Sequence, residues 1–170
     1  MPKLCFFLFL LFATAFSAQA QEQMGYELSY EEALNGHPHQ ILVSTLLENA
    51  FKHEGTPYRY GGVSPKGFDC SGFMYYIFKA IQVDLPHSSK MIANIGFEIS
   101  REEVRAGDLI FFKGSNKNST QVGHVGLVSA VEEGHIYFIH ASSSNGVRVD
   151  ELDNNRYFAP RFLSFRRWEW

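Results

Sequence analysis

The hydrophobic rhythm of the chain changes once, and that change limits the folds open to it. Between Ile41 and His53 the apolar residues Leu42, Leu46, Leu47, Ala50 and Phe51 recur at steps of three and four, the spacing of one helix face, and Gly55 and Pro57 supply the stop. A second helix is predicted from Ser71 to Ile81, where Phe73, Tyr76, Ile77 and Ala80 keep the same period. Beyond Asp108 the apolar residues bunch into short runs, 108–112, 125–131 and 136–141, with loops between them carrying Gly114, Asn116, Asn118, Glu133 and Gly134. Such runs read as strands, and the stretch 161–170, rich in Phe, Arg and Trp, is expected to close the sheet as a last one. Helices first and strands afterwards imply an α+β fold, with N-terminal helices packed on an antiparallel sheet.

What precedes the first helix has a different character. Residues 1–20 show a basic start at Lys3, an apolar run from Leu4 to Phe16 and the small-residue exit Ala18-Gln19-Ala20, the three zones of a secretory signal. Cleavage is expected after Ala20, giving an exported chain, periplasmic or secreted. The apolar run is too short to cross a bilayer and no second one follows, so no stable membrane insertion is expected. A lipid anchor would need its cysteine at the end of that run, whereas Cys5 lies at its beginning. Residues 21–40 are polar and broken by Gly36 and Pro38, and read as an N-terminal extension. Residues 41–170 then form one domain, long enough to bury its own core. The net charge of −3 is spread without a block of like sign or a basic stripe, so no nucleic-acid partner is expected. The one concentrated basic element, Arg166-Arg167, reads as a solvated terminus.

The chemistry centres on Cys70. It is the sole cysteine beyond the expected leader, so it has no partner for an internal disulfide. A segment dense in glycine and proline, 56–67, must be a loop without regular structure, and it delivers Cys70 to the start of the second helix. Unpaired backbone N–H groups and the positive end of the helix dipole favour an anion there, which is expected to lower the thiol pKa and to offer an oxyanion site. Gly72, next but one, would permit close approach of a substrate backbone or simply tight packing of the helix. Downstream, His124 opens one strand after Gly123, and His140 lies on the next with Ile136 and Phe138 on its own face. If the Cys70 helix packs on that face the three side chains converge, with His124 as the base and His140 as the group that orients its ring.

Plainer readings compete with this one. A histidine near a strand end is more often a hydrogen-bonded rim residue, and a free cysteine is often a small buried hydrophobe. The helix-start position and the pairing of thiol with histidine favour catalysis. His135 lies on the opposite face from His140, and His37, His39, His53 and His87 occupy polar or loop contexts, so these read as bystanders. Cys70, His124 and His140 could also ligate zinc, but the chain has no Cys-x-x-Cys, no His-Glu-x-x-His and no fourth ligand at a recognisable spacing. It also lacks a Gly-x-Ser-x-Gly elbow and a Gly-rich dinucleotide or phosphate loop. Neither a metal nor a cofactor is expected.

Six blocks in order, over about 120 residues, resemble the NlpC-type cysteine peptidases that cut bacterial cell-wall peptides. They are Pro57-Tyr58-Arg59-Tyr60-Gly61-Gly62, Gly67-Phe68-Asp69-Cys70-Ser71-Gly72-Phe73, Leu85-Pro86, Gly107-Asp108-Leu109-Ile110-Phe111-Phe112, His124-Val125-Gly126-Leu127-Val128 and Ile139-His140-Ala141-Ser142-Ser143. The resemblance implies a papain-like fold and a Cys, His, His catalytic set on Cys70, His124 and His140. It puts Tyr58 where a family tyrosine points its hydroxyl into the active site, and Asp69 and Ser88 where the family contacts substrate. The reaction it implies is hydrolysis of the bond between D-γ-glutamyl and a diamino acid in the peptidoglycan stem, on a stem peptide or muropeptide. His87 stands where arginine is usual after Leu-Pro, and Ile92 where glutamine is common, departures that bear on the substrate-facing rim. Two alternatives share the fold: a relative whose thiol cuts another wall bond or transfers an acyl group, and a non-catalytic wall-binding protein. With no separate wall-binding segment in view, targeting falls to the catalytic domain or to an unidentified partner.

Overall fold

The computed structural model describes residues 38–168, so the predicted leader, its cleavage point and most of the predicted extension lie outside the described residues. The first helix, α1, spans Pro38–Phe51. It starts three residues before the predicted position because Pro38, read from sequence as a breaker, occupies the first helical position, where a missing N–H costs nothing. Leu46 and Ala50 are the fully buried residues of this helix.

The segment that follows is not wholly irregular, as the sequence suggested. Two-residue strands β1 (Val63–Ser64) and β2 (Gly67–Phe68) pair antiparallel, and Tyr58 forms a single bridge to Phe68. Helix α2 (Cys70–Lys79) begins directly after, capped by Asp69, whose extended backbone lets its carboxylate accept from the N–H of Gly72. Its buried face carries Phe73, Met74, Ile77 and Phe78, and a one-turn helix α3 (Ser89–Ile92) lies beyond it.

The remaining strands form one antiparallel sheet. They are β3 (Phe97–Ile99), β4 (Leu109–Lys113), β5 (Val122–Glu132), β6 (His135–Ser142), β7 (Gly146–Glu151) and β8 (Phe162–Arg167), in the order β3-β8-β4-β5-β6-β7. Strands β4, β5, β6 and β8 occupy the runs predicted for them, whereas β3 and β7 were not predicted. Alternation sorts the side chains into two apolar layers. Leu109, Phe111, Val125, Leu127, Ile139, Ala141 and Val147 pack with α1 and α2. Ile110, Phe112, Val128, Ile136, Phe138 and Phe165 point the other way and are closed over by Leu152 and Phe158. Burial on both faces explains why the central strands read as unbroken apolar runs instead of alternating ones.

The Arg166-Arg167 pair is not a solvated terminus. The Arg167 guanidinium donates to both carboxylate oxygens of Asp108, at 2.8 and 2.9 Å, and Asp108 is almost fully buried. Arg166 donates to the carbonyls of Ile95 and Gly96 at 3.0 and 2.9 Å. Together these bonds fasten β8 between β3 and β4.

Candidate active site

At one end of the sheet β4 and β6 finish while β5 and β7 begin, and there a cavity of about 400 Å³ opens. Its walls include Tyr58, Cys70, His124, Arg148, Asp150 and Phe158. The thiol belongs to the helix-bearing layer, whereas His140 packs with Phe138 and Phe158 of the opposite layer. The expectation that the Cys70 helix would cover the face bearing His140 is therefore corrected. Cysteine and histidines meet around the end of the sheet, because His124 lies in the first residues of β5 at that end. His140 does share its face with Ile136 and Phe138 as predicted. Gly126 makes room for it: a methyl group there would meet a ring carbon of Phe138 at 2.9 Å and the Cβ of His140 at 3.2 Å.

Cys70 is half-buried at the first turn of α2. The backbone N–H groups of Val125, Ser71 and Cys70 itself reach its sulfur and favour the thiolate. Burial opposes them, and the neighbouring Asp69 carboxylate adds to the opposition, so the thiol is pushed up to about 11. The lowering expected from the helix start is thus outweighed by desolvation. The contact with Val125 sets the sulfur beside the residue that follows His124. Gly72 serves packing: a Cβ on it would lie 2.0 Å from the carbonyl oxygen of Gly62, so its bareness lets the loop close on the start of α2.

From His124 a line of polar contacts runs inward. Its Nε2 lies 2.9 Å from Nδ1 of His140, whose Nε2 lies 2.9 Å from Oδ2 of Asp150. Oδ1 of Asp150 accepts from Arg148 at 2.8 Å. The His140 side chain is wholly buried, its ring against Phe138 and Phe158 at centroid distances of 5.0 and 4.9 Å. Burial lowers the pKa of both imidazoles; His140 lowers that of His124 further, while Asp150 acts against the lowering at His140. Sequence reasoning missed Asp150 and Arg148 because it missed β7. The signal was the alternation Val147-Arg148-Val149-Asp150, which in the observed register sets Arg148 opposite His140 and Asp150 opposite Phe138.

The residues expected to touch substrate are placed unequally. Tyr58 lines the cavity, and burial followed by the proximity of Cys70 raises its hydroxyl pKa above the usual value, keeping it protonated. Asp69 is turned inward. Its Oδ1 accepts from the Gly72 N–H at 2.7 Å and the Ser71 hydroxyl at 3.1 Å, and its Oδ2 from the Gly61 N–H at 2.9 Å. Nε2 of His87 sits 3.0 Å from both oxygens, so this histidine is no bystander but a clamp on the cap of α2. Ser88 occupies the cap position of α3 without a side-chain cap bond, and like Asp69 it is not on the cavity wall. A grouping able to hold a cation, His135, Glu151 and Asp153, lies at the far end of β6. There His135 and Glu151 are bonded to each other at 2.8 Å and Asp153 is paired with Arg101.

Residues 55–167 match the family described as NlpC/P60. A protein named "Probable endopeptidase NlpC" from Escherichia coli (strain K12) is 42% identical over 128 residues, which cover 74% of this chain and 78% of that protein. One named "Probable endopeptidase" from Haemophilus influenzae (strain ATCC 51907 / DSM 11121 / KW20 / Rd) is 35% identical over 163 residues, 92% and 95% of the two chains. Among crystal structures, an NlpC/P60 family protein from Bacillus cereus ATCC 10987 superposes with a TM-score of 0.66 at 28% identity over 74% of this chain. This chain covers 40% of the length of that one.

Proposed function

The chain belongs to the NlpC/P60 family, and on that footing we propose that it is an extracytoplasmic cell-wall hydrolase that cuts the D-γ-glutamyl–diamino acid bond of peptidoglycan stem peptides through Cys70. The observation that carries the reading is the placement of Cys70 and His124 on one cavity wall, with His140 bonded behind His124. Relatives named as endopeptidases support the reaction class.

In this mechanism the Cys70 thiol passes its proton to His124 as the sulfur attacks the γ-carbonyl carbon of the D-glutamyl residue. Because burial disfavours both a lone thiolate and a lone imidazolium, the proton moves within the pair and neither group ionises alone. The carbonyl oxygen becomes an oxyanion, and the backbone N–H groups of Cys70 and Ser71 at the start of α2, directed at the sulfur before reaction, are the donors that receive it. The intermediate collapses, the carbon–nitrogen bond breaks, and His124 returns its proton to the departing amine of the diamino acid. Water, deprotonated by His124, then hydrolyses the thioester and restores the thiol. Tyr58 lines the path of the substrate. No metal or cofactor takes part in these steps.

The test is to incubate the protein with defined muropeptides and identify the products by mass spectrometry. Release of a fragment ending in D-glutamate is expected from wild type and its loss from Cys70→Ala. Cleavage at another wall bond would transfer the assignment to that bond, and binding without a cut would make the protein a wall binder.

A further inference from the structure

Each ring nitrogen of His140 has one partner, and the far partner fixes what the near one can be. A carboxylate only accepts, and Asp150 is held as a carboxylate partner by the Arg148 guanidinium on its other oxygen. The proton between His140 and Asp150 must then sit on Nε2 of His140. Neutral His140 is left with a lone pair on Nδ1, so the 2.9 Å contact to His124 requires the proton on Nε2 of His124. The nitrogen left over is Nδ1 of His124, and it is unprotonated. This is the state a base must have before it can take the thiol proton of Cys70. We propose that Asp150, clamped by Arg148, is a positioning residue that sets the proton placement of His140 and His124 and so keeps His124 competent as the base. The role rests on the thiol-hydrolase reading above, but its tests include one that needs no substrate.

A purely structural Asp150 would merely satisfy a buried imidazole, and asparagine, equal in shape, would do that nearly as well. The positioning role makes the opposite forecast for Asp150→Asn. Arg148 carries only donors, so it claims the amide oxygen and leaves the NH₂ group facing Nε2 of His140. Nε2 must now accept, the His140 proton moves to Nδ1, and that proton is donated to Nε2 of His124. The remaining proton of His124 is forced onto Nδ1, and the base is blocked. The kcat of Asp150→Asn on muropeptides is expected to fall about 10²- to 10⁴-fold with KM little changed. Adding Arg148→Met frees the amide to turn its oxygen toward His140, and the double variant is expected to regain about tenfold or more over Asp150→Asn alone.

The groups facing His140 are few: His124 from β5, Asp150 and Arg148 from β7, and the uncharged rings of Phe138 and Phe158. Replacing the carboxylate with an amide removes the negative charge that favours imidazolium. Because His124 acts only while unprotonated, the acidic limb of the kcat–pH profile is therefore expected to move to lower pH in Asp150→Asn, a change that loss of packing alone would not produce.

The substrate-free test is imidazole ¹⁵N NMR of the wild-type protein at neutral pH. It is expected to show both His124 and His140 protonated at Nε2 alone, and in Asp150→Asn protonated at Nδ1. A proton on Nδ1 of either histidine in wild type, unchanged tautomers in Asp150→Asn, or an Asp150→Asn variant within about threefold of wild-type kcat would each overturn the proposal. If the wild type cuts no muropeptide, the thiol-hydrolase reading fails by itself, and the NMR result still decides the proton placement. Because the wild-type spectrum is a test on its own, failure of a variant to fold does not remove it.

Discussion

Cys70 stands between opposed influences. The N–H groups at the start of α2 favour its thiolate, while burial and the Asp69 carboxylate favour the thiol. Asp69 also caps the helix that carries Cys70, so one residue positions the thiol and restrains its ionisation. Asparagine separates the two effects, since it caps a helix about as well as aspartate but carries no charge. In Asp69→Asn the pH midpoint of Cys70 alkylation by iodoacetamide is therefore expected to move down, by about half to one unit. The sign follows from the carboxylate's raising effect: removing it stabilises the thiolate. An unchanged or higher midpoint would contradict this account of the site's electrostatics. The cysteine and both histidines were legible in the sequence because residue type and local position announce them. The Asp69–His87 clamp was not, because an 18-residue separation places the two together only through the fold.

The sheet shows which elements a one-dimensional pattern can reveal. Strands β4, β5 and β6 announced themselves because burial on both faces makes them continuously apolar. Strand β7 mixes Val147 and Val149 with Arg148 and Asp150, so its apolar content is diluted, and the residues that extend the histidine line were lost with it. Strand β8 was legible as a strand, but its arginines were not legible as fasteners, since their acceptors, Asp108, Ile95 and Gly96, lie 59 to 71 residues away. Arg167→Ala leaves the Asp108 carboxylate buried without its bidentate partner. Denaturant unfolding is expected to show a loss of about 3 to 5 kcal/mol, and a loss below about 1 kcal/mol would reduce the pair to a surface contact.

Across the whole molecule, the papain-like α+β arrangement divides the work between two layers. Helix α2 presents the thiol from one side of the sheet, and the layer holding Phe138 and Phe158 fixes His140 on the other. The two sides meet where β5 begins. This separation lets each half be held by its own core, so the thiol and the line His124–His140–Asp150 are set from opposite layers and meet at the cavity. Periodicity foretold the α+β class and that the two longer helices precede the main sheet, but not the short strands between them. It could not foretell which face the helices cover, because both faces of the central strands are apolar.

The central claim is that Cys70 carries the acyl group during turnover, and covalent trapping tests it most directly. Protein mixed with a defined muropeptide is quenched in acid during turnover and analysed by intact mass and peptide mapping. The expected result is a thioester of the D-γ-glutamyl fragment on the peptide containing Cys70, absent from Cys70→Ala. Continued cleavage of the muropeptide by Cys70→Ala, or turnover by wild type through an adduct on another residue, would contradict it.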